Sequence, residues 1–229
     1  MRNSLAMGCV YDQQTGVRTY RPENVTGNYT LDLTHNYSTP LDKRKRLMLK
    51  NTIDFSMNHG VDLIGNSNDK TPVRSSVMTY RTTERVNLDY KLTKNIKVGA
   101  KGFLGHGKSV SSRDDFSTVN VFDFHYGLTA LVSLPYNFQC STDLTMYSRR
   151  GYANAAANTN DLVWNARLSK TFPKAGITLA VDGFDILGNL NNISQVINSQ
   201  GRTETYRNSL PRYVMLHAIY RLNKQPKKK

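Results

Sequence analysis

Acidic side chains are scarce in this chain: Asp and Glu number 17 against 31 Lys and Arg, which leaves a formal net charge of +14. Such an excess suits nucleic acid, anionic lipid or an acidic partner. Lys and Arg are scattered along the sequence, however, apart from Lys43 to Arg46 and the tail Lys227 to Lys229, and this spread argues against a nucleic-acid partner. Cysteine is almost missing. Cys9 and Cys140 lie too far apart for metal-ligand spacing, so they read as small thiols that are buried or face lipid, and no metal or cofactor is expected. No run of eighteen apolar residues exists, which excludes a transmembrane helix but not a membrane barrel, whose strands average to a mildly polar sequence. A secretory segment is also lacking: after Met1, Arg2 and Asn3 lead into LAMGCVYD, too short and polar for a signal core.

What the chain has in quantity is alternation. In residues 120 to 134, Phe122, Phe124, Tyr126, Leu128, Ala130, Val132 and Leu134 fall on one side of a strand. Asp123, His125, Gly127, Thr129 and Ser133 fall on the other, with Leu131 as the exception. The apolar side outruns an ordinary soluble strand of about 5–6 residues, while a tilted strand crossing a bilayer needs about 9–11. The same pattern recurs in YTLDLTHNY (29 to 37), LMLKNTIDFSM (47 to 57), 77 to 92, IKVGAKGFLG, 138 to 148, DLVWNARLSKTF (161 to 172), GITLAVDGFDILG and YVMLHAIYRL. Trp164 and Leu168 belong to the apolar set of the 161 to 172 segment. With residues 3 to 11 this makes about ten strands and no helix, an all-β antiparallel chain with up-and-down connections.

Connection lengths alternate. Long polar loops are expected near 12 to 26, 58 to 76, 105 to 115, 149 to 160 and 184 to 212, and short turns near 39 to 46, 93 to 95, 135 to 137 and 173 to 176. A soluble sandwich has no reason to keep its long loops at one end, whereas outer-membrane barrels pair short periplasmic turns with long external loops. Each short-turn end places an aromatic on the apolar face, Tyr37, Tyr90, Phe138, Phe172 and Tyr220, as a girdle at the membrane boundary requires. The opposite face carries Asp32, Asp54, Asp89, Asp123, Asp143 and Asp182. In a barrel these line the lumen, where Lys50, Lys91, Arg167 and Arg221 are the candidate partners. Nothing brings two carboxylates to a catalytic separation, and His125 and His217 lack a nucleophile, so no enzyme is expected.

With the strands laid out, the chain resembles the outer-membrane β-barrel domain of TonB-dependent receptors. The residues that carry the resemblance are Asp143 to Gly151 (DLTMYSRRG), Asp161 to Phe172, Gly176 to Gly188 and Arg212 to Asn223 (RYVMLHAIYRLN), with TYRPENVTGNYTLDLTHNYSTPLDKRKR similar to an earlier part of that domain. These are strand-and-turn patterns with no catalytic signature. The resemblance implies a barrel of about 22 strands closed around a plug and energised from the inner membrane through that plug. The family commonly finishes on an aromatic, but here Leu222 precedes a basic tail, 223 to 229, which puts efficient assembly in question.

The expectation is therefore one domain over 1 to 229: an antiparallel up-and-down transmembrane β-barrel of about ten strands, the C-terminal part of a larger barrel, in the outer membrane of a Gram-negative bacterium. It lacks plug, export signal and remaining staves, and is expected to take part in uptake of a large nutrient ligand without transporting alone. Its expected partners are outer-membrane lipid, the missing strands and plug, the energising complex and an unidentified ligand. The competing reading is a soluble basic β-sandwich that binds carbohydrate or nucleic acid. The two differ in the fate of Phe122 to Leu134: a second sheet covers them in the sandwich, and they form an exposed belt in the barrel.

Overall fold

The alternating segments become long strands. The computed structural model describes residues 4–12, 14–66, 73–114, 116–190, 193–198, 201–206, 210 and 212–222, so the basic tail 223 to 229 lies outside the described residues. The strands are β1 (Ser4–Tyr11), β2 (Arg18–Val25), β3 (Tyr29–Pro40), β4 (Leu47–Asn66), β5 (Val73–Lys91), β6 (Ile96–Ser111) and β7 (Val119–Leu134). They continue as β8 (Phe138–Arg150), β9 (Asn160–Phe172), β10 (Ile177–Phe184), β11 (Ile193–Asn198), β12 (Gly201–Tyr206) and β13 (Tyr213–Tyr220). No α-helix occurs among the described residues.

Nine strands, β3 to β10 and β13, form one antiparallel sheet in which each strand pairs with its neighbour in sequence; β13 follows β10 because the hairpin β11–β12 is a separate two-stranded sheet. The β1–β2 hairpin joins the same sheet through a short parallel pairing of β1 with the far end of β4, Cys9 opposite Ile64 to Tyr11 opposite Asn66. Among the described residues β13 pairs with β10 alone and β3 with β4 alone, so the sheet is open.

Antiparallel pairing keeps opposed residues on one face, so the register carries each strand's polarity to the next. One row runs Leu88, Ala100, Leu128, Leu144, Trp164. A row of opposite parity runs Thr34, Asp54, Thr83, Gly105, Asp123, Arg149. The apolar and polar sets read from the sequence thus fall on opposite faces across all nine strands.

Four connections expected to be long loops differ. Residues 12 to 26 contain β2, β4 runs on to Asn66 and β5 begins at Val73, β6 runs to Ser111, and the Asn-rich stretch holds β11 and β12. The strand number is therefore thirteen where about ten were expected. The reason is physical: these extensions lie past the apolar stretch, and segments such as RTYRPENV in β2 are exposed on nearly every residue, leaving no period of two to read. The four short turns fall where expected, at 41 to 46, 92 to 95, 135 to 137 and 173 to 176.

Burial is inverted relative to a soluble domain. Among the described residues the buried hydrophobics are seven small side chains, Val25, Val61, Val77, Val119, Ala157, Val163 and Ala180, with no Leu, Ile, Phe, Met or Trp among them. Buried polar residues are at least as numerous and include Ser75, Thr83, Ser109, Thr145, Ser148, Asp161 and Asp182. The accessible surface is 16299 Å², whereas a folded soluble monomer of this mass exposes about 10,500 Å².

Candidate functional site

The apolar face of the sheet, termed its outer face, carries most of the large exposed side chains. Phe122, Tyr126, Leu128, Leu134, Trp164 and Leu168 are exposed, Leu128 at 64%. Phe124, Ala130 and Val132 are half-buried between them. The only other described sheet is the hairpin β11–β12, so no second layer of sheet covers these residues. Trp164 donates its indole N–H to Thr142 Oγ1 at 2.8 Å, which satisfies its one polar atom on this face. Leu47, Leu88, Tyr90, Leu128, Leu144 and Trp164 wall a shallow, almost wholly apolar hollow around Ala100 and Ala130.

Tyr37, Tyr90, Phe138, Phe172 and Tyr220 come together at the short-turn end of this face. A second group of rings marks the other end: Tyr29 stacks on His59 with centroids 5.1 Å apart, Phe122 stacks on His106 at 4.5 Å, and Arg150 lies over Phe124. Tyr80 lies on the same face of β5. The sequence reading had placed some of these rings without seeing that they form a second band, because only strand pairing aligns them. The face carries one polar pair between the ring groups, where Asn51 Nδ2 donates to Glu84 Oε1 at 2.8 Å.

The opposite face holds the carboxylates, and most find cations from other strands. Lys50 pairs with Asp89 at 3.0 Å, and Arg167 Nε lies 3.3 Å from Asp182 Oδ1. His217 Nε2 lies 2.6 Å from Asp182 Oδ2, within ion-pair reach but off good hydrogen-bond geometry. Arg85 bonds Asp54, which also accepts from Thr34 and Thr83. Lys101 on β6 reaches across β7 to Asp143 on β8, a span that Gly127 leaves clear between them. Thr145, fully buried, donates to the same Asp143 at 2.9 Å.

Two expected partners differ: Lys91 and Arg221 have no ion pair among the described residues. Asp32 likewise has no polar partner there, because β3 is an edge strand with no neighbour on its outer side. Arg85, Lys101 and Tyr152 escaped the sequence reading, the first two because diagonal reach across strands is invisible in one dimension. Tyr152 escaped because it sits in the small-residue loop 151 to 159.

That loop folds back over the polar face. Tyr152 donates its hydroxyl to both Asp123 oxygens, at 2.8 and 3.0 Å. Burial, reinforced by the Asp123 carboxylate, pushes the phenol well above its ordinary pKa, so it remains a donor. Beside it lies a cavity of about 360 Å³ near Gly105 and Gly107, walled by Arg81, Phe103, Asp123 and Tyr152. His125 is stacked between Phe103 at 4.7 Å and Tyr147 at 5.1 Å. Its ring is thus a packing element. Among the described residues no group of three His, Cys, Asp or Glu could hold a metal ion. The arrangement offers an aromatic wall, a guanidinium without an ion pair among the described residues and a carboxylate, groups that can contact a polar segment. Comparison with protein-family models, curated proteins and solved structures finds no match for this chain.

Proposed function

We propose that this chain is a length of barrel wall from a TonB-dependent receptor of a Gram-negative outer membrane, serving uptake of a large nutrient ligand. The inverted burial carries the reading: nine strands present large apolar side chains on one exposed face, while the buried side chains are small Val and Ala or polar Ser, Thr and Asp. In water that exposure would drive aggregation, and in lipid it is the solvated surface. The ring bands agree in scale. Tyr80 and Tyr90 are ten residues apart on β5, about 34 Å along a strand, which a tilt of about 45° reduces to about 24 Å, close to the apolar band of about 25 Å in such barrels.

The open edges of β3 and β13 fit a part of a larger wall, since unpaired backbone groups are costly in hydrocarbon and further strands would satisfy them. The polar face, with its ion pairs and the cavity beside Tyr152, is the side that meets a plug and ligand in this reading. A β-sandwich would need a second sheet over Phe122 to Leu134, for which no observation speaks.

The single tryptophan makes the test direct. The full chain is refolded into vesicles of brominated phosphatidylcholine and Trp164 emission is read. Strong quenching relative to unbrominated vesicles is expected, because bromine quenches on near contact. A folded chain that stays in the aqueous phase with unquenched Trp164 would sink the proposal.

A further inference from the structure

The basic excess of the chain is not spread evenly over the fold. The short turns carry six cations, Lys43, Arg44, Lys45, Arg46, Lys94 and Lys174, against one carboxylate, Asp42. The described residues of the connections at the other end carry three carboxylates, Asp12, Asp114 and Asp185, against two cations, Arg113 and Arg212. Asp42 spends its charge locally, accepting the backbone N–H of Leu47 at 2.8 Å and of Arg46 at 2.6 Å. Those amides hold its carboxyl below the usual carboxylate pKa. The remaining turn lysines are exposed and have no partner among the described residues, so their charge is free to act outward.

The basic end also meets the apolar face. Lys170, opposite Phe138 on the outer surface, places its ammonium 4.5 Å from the Phe138 ring centroid and 5.1 Å from that of Phe172. Arg46 lies 5.7 Å from the Tyr90 ring. A cation whose stem follows an apolar face and whose head stands among boundary rings is placed for a headgroup phosphate.

We infer that the short-turn end is a basic collar that seats the sheet against the phosphate layer of an anionic phospholipid leaflet. The inference rests on the membrane reading. It also gives a use to the local charge: six cations against one carboxylate stand at the short turns, where one leaflet is met. Attraction of this kind acts within about a Debye length and falls with salt.

The test uses the full chain in a neutral detergent offered equal amounts of phosphatidylglycerol and phosphatidylcholine, with bound lipid counted by native mass spectrometry. The wild type should retain phosphatidylglycerol preferentially, and 0.5 M salt should remove the preference. A variant with Lys43→Gln, Lys45→Gln, Lys94→Gln and Lys174→Gln should lose the preference about tenfold or more. A variant with Arg18→Gln, Arg21→Gln, Lys108→Gln and Arg212→Gln, which removes the same charge from the opposite end, should keep it. The collar is overturned if the wild type shows no preference, or if both variants lose it equally and net charge alone decides. The salt titration needs no variant, so a variant that fails to fold leaves the question answerable. A chain that retains neither lipid fails the membrane reading itself, whereas one that retains both equally fails only the collar.

Discussion

The two faces of the nine-stranded sheet obey opposite rules. On the outer face large apolar side chains stand free, Leu128 at 64% and Tyr126 at 59% exposed, and neighbours leave room around them. On the inner face Thr145 is fully buried, Asp182 is 6% exposed, and polar groups are paired from strand to strand. Two glycines one row apart show the difference. A Cβ at Gly127, on the inner face, would lie 2.5 Å from the Leu144 carbonyl oxygen and 2.7 Å from Thr145 Oγ1, while one at Gly102, on the outer face, would meet nothing within 4 Å. Packing order in this sheet lies on the polar side, and the apolar side is open around its large side chains.

The largest break in that contrast comes from Leu128→Arg. In a bilayer the change should cost about 2–4 kcal/mol if Leu128 sits near the midplane, read from denaturant unfolding in liposomes with Trp164 emission. In detergent-free buffer the same substitution at a free surface position should instead be within about 0.5 kcal/mol. An unaltered stability in liposomes would remove Leu128 from the lipid face.

Next comes Asp182→Ala. This takes the shared carboxylate from Arg167 and His217 and should cost about 1.5–3 kcal/mol, the usual range for hydrogen bonds to charged groups. An effect under about 0.5 kcal/mol would mean that the inner pairs are no more than solvated surface contacts. The glycine pair follows. Gly127→Ala should destabilise by about 1–3 kcal/mol through overpacking against backbone, and Gly102→Ala should be neutral or slightly stabilising. Equal costs at the two positions would erase the distinction between the faces.

Much of this was legible in the sequence, and the limits have physical causes. Alternation assigned Phe122 to Leu134, Trp164 and Leu168 to one face and the six aspartates to the other, because a period of two is a local property that register then transmits. The partners were only half legible. Lys50 and Arg167 were among the candidate cations, without their pairings, and meet Asp89 and Asp182 on adjacent strands, whereas Lys101 with Asp143 skips a strand and depends on the bare backbone at Gly127. The strand extensions of β4, β5 and β6 were read as loops because Gly, Asn, Ser and His interrupt the alternation there and the period of two fades. Charge asymmetry was hidden for a different reason: Lys45, Lys94 and Lys174 are far apart in the chain, and only folding gathers the turns at one end.

The smallest expected effect concerns the Asn51–Glu84 pair in the outer face. Glu84 and Asn51 bond to each other between the ring bands, Glu84 lying four residues from Tyr80 on β5. If lipid meets this point, the pair satisfies itself but still places a carboxyl group in an apolar layer, at a cost that is smaller for Glu than for Lys or Arg. Replacing both, Glu84→Leu with Asn51→Leu, should then stabilise the chain in liposomes by about 1 kcal/mol. Replacing Glu84 alone strands the Asn51 amide and should gain less. A double variant that loses stability would show that β4 and β5 meet a polar neighbour there. The clean apolar face of β7 to β9 and the interrupted one of β4 and β5 would then be facing different surroundings.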